Sequence, residues 1–128
     1  MNFNNQVSTN KKQSERLLEL GIKDDTADLS LYYGIGFTHL YDWETQMFKY
    51  SLVREDKEFE AAYSERLFPA WSLGKLLSMC GETIKFGGDY IVCAMDFEKK
   101  VDNGFDGIID CIEWLINKNL FSKNYLAK

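Results

Sequence analysis

Asp102-Asn103-Gly104-Phe105-Asp106-Gly107-Ile108-Ile109-Asp110-Cys111-Ile112-Glu113, continued as Trp114-Leu115-Ile116-Asn117-Lys118-Asn119, supports two readings that lead to different proteins. Taken as a loop, the first twelve residues have part of the spacing of an EF-hand calcium site: acids at the first, fifth and ninth places, glycine at the sixth, isoleucine at the eighth and glutamate at the twelfth. Asp102, Asp106, Asp110 and Glu113 would then be metal ligands. Taken as a helix, the stretch puts Ile108, Ile109, Ile112, Leu115 and Ile116 on one face and Asp106, Asp110, Glu113 and Asn117 on the other.

Three details favour the helix. Gly104 stands where an EF-hand needs its second oxygen ligand, and bulky Phe105 follows it. The preceding segment, Tyr90 to Phe97, alternates like a strand and not like an entering helix. Beyond Glu113, polar Asn117 and Lys118 occupy positions an exiting helix would make apolar, whereas the i, i+1, i+4, i+7, i+8 pattern of an ordinary core helix runs unbroken. Without the loop, no motif of known chemistry is left, and no metal or other cofactor is expected.

At 128 residues the chain is long enough to bury one core without disulfides or metal staples. Its 45% apolar content is that of a folded domain, and its 15% aromatic content is generous. A net charge of −5 argues against direct binding to nucleic acid, which depends on cationic neutralisation of phosphates. Met1 to Asn10 is polar, unlike a signal peptide, and no apolar run approaches the roughly 20 residues of a membrane helix. A cytoplasmic protein with no membrane contact is therefore expected. Cys80, Cys93 and Cys111 are far apart, and each falls in an apolar pattern, so they read as buried, reduced thiols. His39, the only histidine, has no cysteine near it for a zinc site.

Residues 1–10 read as a flexible arm and 11–128 as one α+β domain. A helix is expected from Lys11 to Leu20, with Gly21 at its stop. Leu29 to Tyr33 alternates as a strand, as does Phe48 to Leu52; Phe37 to Trp43 is ambiguous. An acidic surface helix is expected over Lys57 to Leu67, and Pro69 is placed in the first turn of the next helix, whose inward stripe is Leu73, Leu76, Leu77 and Cys80. Thr83 to Phe86 and Tyr90 to Phe97 flank the glycine-rich turn Gly87-Gly88-Asp89. The last helix is capped by Asn103 or Asp106 and ends at Asn119. The sum is an antiparallel sheet of about four strands against about three helices.

Three blocks, Glu15 to Ile22 with Thr26 to Asp28, Pro69 to Met79, and Asp106 to Asn119, have an order and spacing that resemble a group of small uncharacterised proteins from prophage-like and conjugative elements of gut anaerobes. The resemblance implies an accessory role in a mobile element and attaches no catalytic residue to any block.

Among candidate sites, His39 with Asp42 and Glu44 suggests an acid–base group. A strand would, however, send His39 to the face of Tyr41 and Trp43 and the two carboxylates to the other. Gly34-Ile35-Gly36 and Gly87-Gly88 fit turns and not phosphate loops. Tyr32, Tyr41 and Trp43 are of the residue types that anchor protein interfaces. Glu55, Glu58, Glu60 and Glu65 would complement a basic partner. The expected function is a non-catalytic module that binds an as yet unknown protein. The alternative is an acidic inhibitor that imitates a phosphate backbone toward a nucleic-acid-binding host protein; calcium binding is a minor third.

Overall fold

The computed structural model describes residues 3, 6–33, 37–53, 67–81, 83–94 and 96–127, of which 32–33, 37–39, 48–53 and 67 are described as backbone only. The expected Lys57–Leu67 helix and the Gly34-Ile35-Gly36 turn fall essentially outside these residues.

Three α-helices and seven strands form among the described residues. Helix α1 (Lys11–Glu19) begins at a reciprocal cap: the Asn10 side chain accepts the Gln13 amide, and the Gln13 side chain accepts the Asn10 amide. Gly21, at φ 96°, takes the chain out of α1 through a left-handed backbone that a side chain would strain. Strands β1 (Leu29–Tyr33), β2 (Phe37–Asp42), β3 (Met47–Val53) and β4 (Leu67–Ala70) make an antiparallel sheet in the order β3-β2-β1-β4. Helix α2 (Leu73–Cys80) starts at Ser72, whose hydroxyl caps the Lys75 amide, and stops at Gly81. Strands β5 (Ile84–Gly87), β6 (Tyr90–Cys93) and β7 (Phe97–Lys100) make a second antiparallel sheet in sequential order. Helix α3 (Gly104–Asn117) follows, capped by Asn103, and Asn119 beyond it is left-handed at φ 59°.

The α+β class holds, as does the helical reading of the decisive stretch: Ile108, Ile109, Ile112 and Leu115 are buried, along with Phe105 and Cys111. They meet Leu17 of α1, Leu76, Met79 and Cys80 of α2, Ile91 and Cys93 of β6, and Trp71. Burying each large aliphatic side chain is worth about 1.5–3 kcal/mol, which makes α3 the main source of cohesion. Phe97 stacks on Trp114 at 5.8 Å and fastens β7 to the same helix.

Three expectations need correction. The strands divide into a four-stranded and a three-stranded sheet and do not share one sheet; the Tyr90–Phe97 run breaks at Ala94, which turns through φ 53° and sends the chain back as β7, the third strand of the second sheet. Pro69 is not in a helical turn but in β4, opposite Ser30; β4 is an edge strand, where a residue with no N–H is tolerated. Part of the expected arm is packed. Ser8 bridges to Ser72, and buried Thr9 donates its amide to the Trp71 carbonyl while its hydroxyl accepts the Trp71 amide.

Candidate functional site

The turn between β2 and β3 brings two of the three nominated aromatics together. β2 opposes β1 with Tyr41 across from Ser30, so both project from one face of the sheet. The indole Nε1–H of Trp43 donates to the Ser30 hydroxyl at 2.8 Å, and its ring meets Tyr41 edge-on at 4.8 Å between centroids. Trp43 is nevertheless 49% exposed, and Met47, the first residue of β3, is 64% exposed. The backbone beneath is fixed. Asp42 accepts the Glu44 amide at 2.8 Å through its carboxylate and the Gln46 amide at 2.7 Å through its carbonyl, and Trp43 donates its own amide to the Asp28 carbonyl at 3.1 Å. Gln46 takes the left-handed conformation that closes the turn, at φ 58°. The result is an exposed aromatic tip on a hydrogen-bonded stem.

Ser30 belongs to this tip although sequence reasoning did not nominate it. Alternation along β1 could have placed Ser30 opposite Tyr41, but only the pairing register shows it. Tyr32 lies opposite His39 in that register, and for both residues the backbone position is what is described. Asp42 serves the turn through its bonds to Glu44 and Gln46; the His39 side chain lies outside the described ones. Glu55, Glu58, Glu60 and Glu65 lie outside the described residues.

Three of the four acids of the decisive stretch hold contacts between elements. Asp106 accepts from the Gln13 side chain at 2.9 Å. Asp110 is paired with Arg16 of α1 at 2.5 Å and with Lys99 of β7 at 2.8 Å, and Glu113 reaches Arg16 at 3.4 Å. Burial lowers the Arg16 pKa, but the hydrogen bonds and charges of Asp110 and Glu113 outweigh it and raise the value. Asp102 is exposed in the turn before the helix. Helical geometry spreads these four residues along a helix and the turn before it, where an EF-hand would wrap them around a point. Among the described residues, no three histidine, cysteine, aspartate or glutamate side chains are grouped to hold a metal ion.

All three cysteines are free and buried. Burial, with a smaller contribution from Cys93, pushes the Cys80 thiol up to about 12. Burial and the neighbouring Cys93 and Cys80 raise Cys111, and burial raises Cys93. Such thiols are poor nucleophiles near neutral pH, because the thiolate is the reactive form.

No helix among the described residues is long and apolar enough to cross a membrane. No protein family, curated protein or solved structure matches the chain.

Proposed function

We propose that this chain is a non-catalytic protein-interaction module whose contact surface is the tip of the β2–β3 hairpin, with Trp43 as its anchor. One observation carries the reading: Trp43 is half in solvent yet immobilised at its indole nitrogen and along its ring. Exposed aromatic area usually carries an entropic cost when a partner fixes it, and here that cost is already met within the fold. Tryptophan and tyrosine dominate the energetics of protein interfaces. A prophage-like or conjugative element as the setting rests on the resemblance of the Glu15–Ile22, Pro69–Met79 and Asp106–Asn119 blocks.

The test is affinity capture from host lysate with the wild-type chain and with Trp43→Ala, followed by titration of the captured protein. We expect at least a tenfold loss of affinity, since truncating a central aromatic anchor costs about 2 kcal/mol or more. Equal affinity of the two chains for the same partner would remove the tip from the interface.

A further inference from the structure

We infer that the hollow between the end of α1 and β4 is a second contact point on the same surface, one that takes an arginine side chain of the partner protein. The inference rests on the hairpin-tip reading for its place on the contact surface and on the hollow's own lining for its chemistry. The hollow has a volume of about 490 Å³ and is lined by Leu18, Ile22 and Pro69, with Lys23, Asp24 and Asp25 beside them. Ile22 is buried and Leu18 and Pro69 are partly buried, whereas both aspartates are exposed. Apolar groups thus form the floor and carboxylates the rim. Tyr41, Ser30 and Pro69 stand in one row across β2, β1 and β4, so they project from one face of the sheet. The Ser30 hydroxyl is the group that holds the Trp43 indole. The hollow therefore begins one strand, about 5 Å, from the residue that fixes the tryptophan of the tip.

Charge and shape together name the occupant. The bond from the Trp43 amide to the Asp28 carbonyl joins residues 24–28 to residues 42–46, and these two segments contain five carboxylates and no basic residue. Asp28 is spent on Ser72 and Asp42 on the hairpin turn, which leaves exposed Asp24, Asp25 and Glu44 as the charges a partner meets. Lys23 sets one cation against the two aspartates of the hollow, whose net charge is therefore −1. Among the described residues, neither aspartate is held in an ion pair or a side-chain hydrogen bond. An anionic side chain would be repelled at this rim, and a purely apolar one would press on the carboxylates without satisfying them. Arginine meets both parts: its methylene stem covers Leu18, Ile22 and Pro69 while its guanidinium fork reaches the rim. Trp43 suits the same partner. Its only N–H is spent on Ser30, so its exposed ring offers a π face that favours cations over acceptors.

The test titrates the full chain with the peptide acetyl-Gly-Arg-Gly-amide and follows the backbone amide signals of Asp24, Asp25 and Ala127, all at the hollow, in proton–nitrogen correlation spectra. The control peptide carries citrulline, which keeps the length and shape of arginine and lacks its charge. We expect saturable shifts with the arginine peptide and binding about fivefold weaker with citrulline, the scale of two solvent-exposed ion pairs. Asp24→Asn with Asp25→Asn should weaken arginine binding by a similar factor while the thermal melt stays unchanged, because both side chains are exposed. Added salt should weaken binding to the wild-type chain as well. The inference is overturned if citrulline binds as well as arginine, if the double variant binds arginine as well as the wild-type chain does, or if the arginine peptide moves none of these signals. Should the double variant not fold, the citrulline comparison on the wild-type chain decides alone. Trp43→Ala has no part in this titration, so the tip and the hollow can fail separately.

Discussion

The neighbourhood of α3 and the tip of the β2–β3 hairpin spend the same residue types on opposite ends. Around α3, aromatics are sealed in: Phe105 and Trp71 are buried, and Trp114 is stacked under Phe97. Charges there are tied into pairs that join α1, β7 and α3. At the hairpin tip, Trp43 and Met47 stand in solvent on a hydrogen-bonded stem. In the first region an aromatic ring stabilises the fold, and in the second the fold holds a ring in place. If the tip is the contact surface proposed above, stability and recognition should be separable by mutation, which the following expectations test.

Ile108→Ala should have the largest effect. Ile108 is fully buried at the centre of the α3 core, and its truncation should cost about 2–5 kcal/mol, read as a shift of the urea midpoint. If Trp43→Ala cost as much, the distinction between the regions would collapse.

Alkaline pH should attack the α3 region alone. The folded-state pKa values of Cys80, Cys93 and Cys111 lie above their unfolded values. Below the unfolded value, near 8.5, both states hold the proton and the thiols' contribution is fully present. Above it the unfolded chain sheds protons that the folded chain keeps, so stability should fall with rising pH, by up to about 1.4 kcal/mol per pH unit at Cys80, until its folded pKa of about 12 is passed. Urea titrations between pH 8 and 10 should show this slope, and Cys80→Ala with Cys111→Ala should flatten it. A slope unchanged in that double variant would assign the alkaline loss to other groups.

Arg16→Ala should weaken the α1–α3 seam by about 1 kcal/mol, because the pair it makes with Asp110 is partly solvated and Lys99 remains as a second cation. Added salt should shrink the difference between variant and wild type; a salt-independent difference would instead indicate lost packing by the arginine stem. The smallest stability effect is expected for Trp43→Ala, about 1 kcal/mol or less, chiefly from the Ser30 hydroxyl losing its donor. The same substitution should have the largest effect on partner affinity, and this crossing of the two scales is the sharpest form of the comparison.

The α3 region was open to sequence reading because its chemistry is local. The 3.6-residue spacing of Ile108, Ile109, Ile112 and Leu115 is present in the string itself, as are the Asn103 cap and an asparagine at the left-handed position 119. The β1 and β3 strands also follow from alternation, whereas Phe37 to Trp43, which forms β2, read as ambiguous. Pro69 was misplaced because a fixed φ and a missing N–H suit a helix's first turn and an edge strand equally; only its partner across the sheet decides. The β6–β7 turn was missed because Ala94 is left-handed where glycine or asparagine would signal a turn. At the tip, Tyr41 and Trp43 were legible as residue types. Ser30, which turns an exposed tryptophan into a fixed one, depends on a pairing between strands that the string does not display. The packing of Phe3 on Gly104 was hidden for the same reason, since that glycine lies near the other end of the chain.

Ile22 pairs with Leu126 in an isolated bridge, Lys23 donates its amide to the Tyr125 carbonyl, and Ala127 donates to Gly21. These bonds close a loop that contains nearly the whole chain, and the ordering entropy of so long a loop is recovered only after the α3 core has condensed. This clasp is therefore expected to close last. On the way out the sequence reverses, so the amide hydrogens of Lys23 and Ala127 should exchange with solvent while those of Ile109 and Ile112 are still protected.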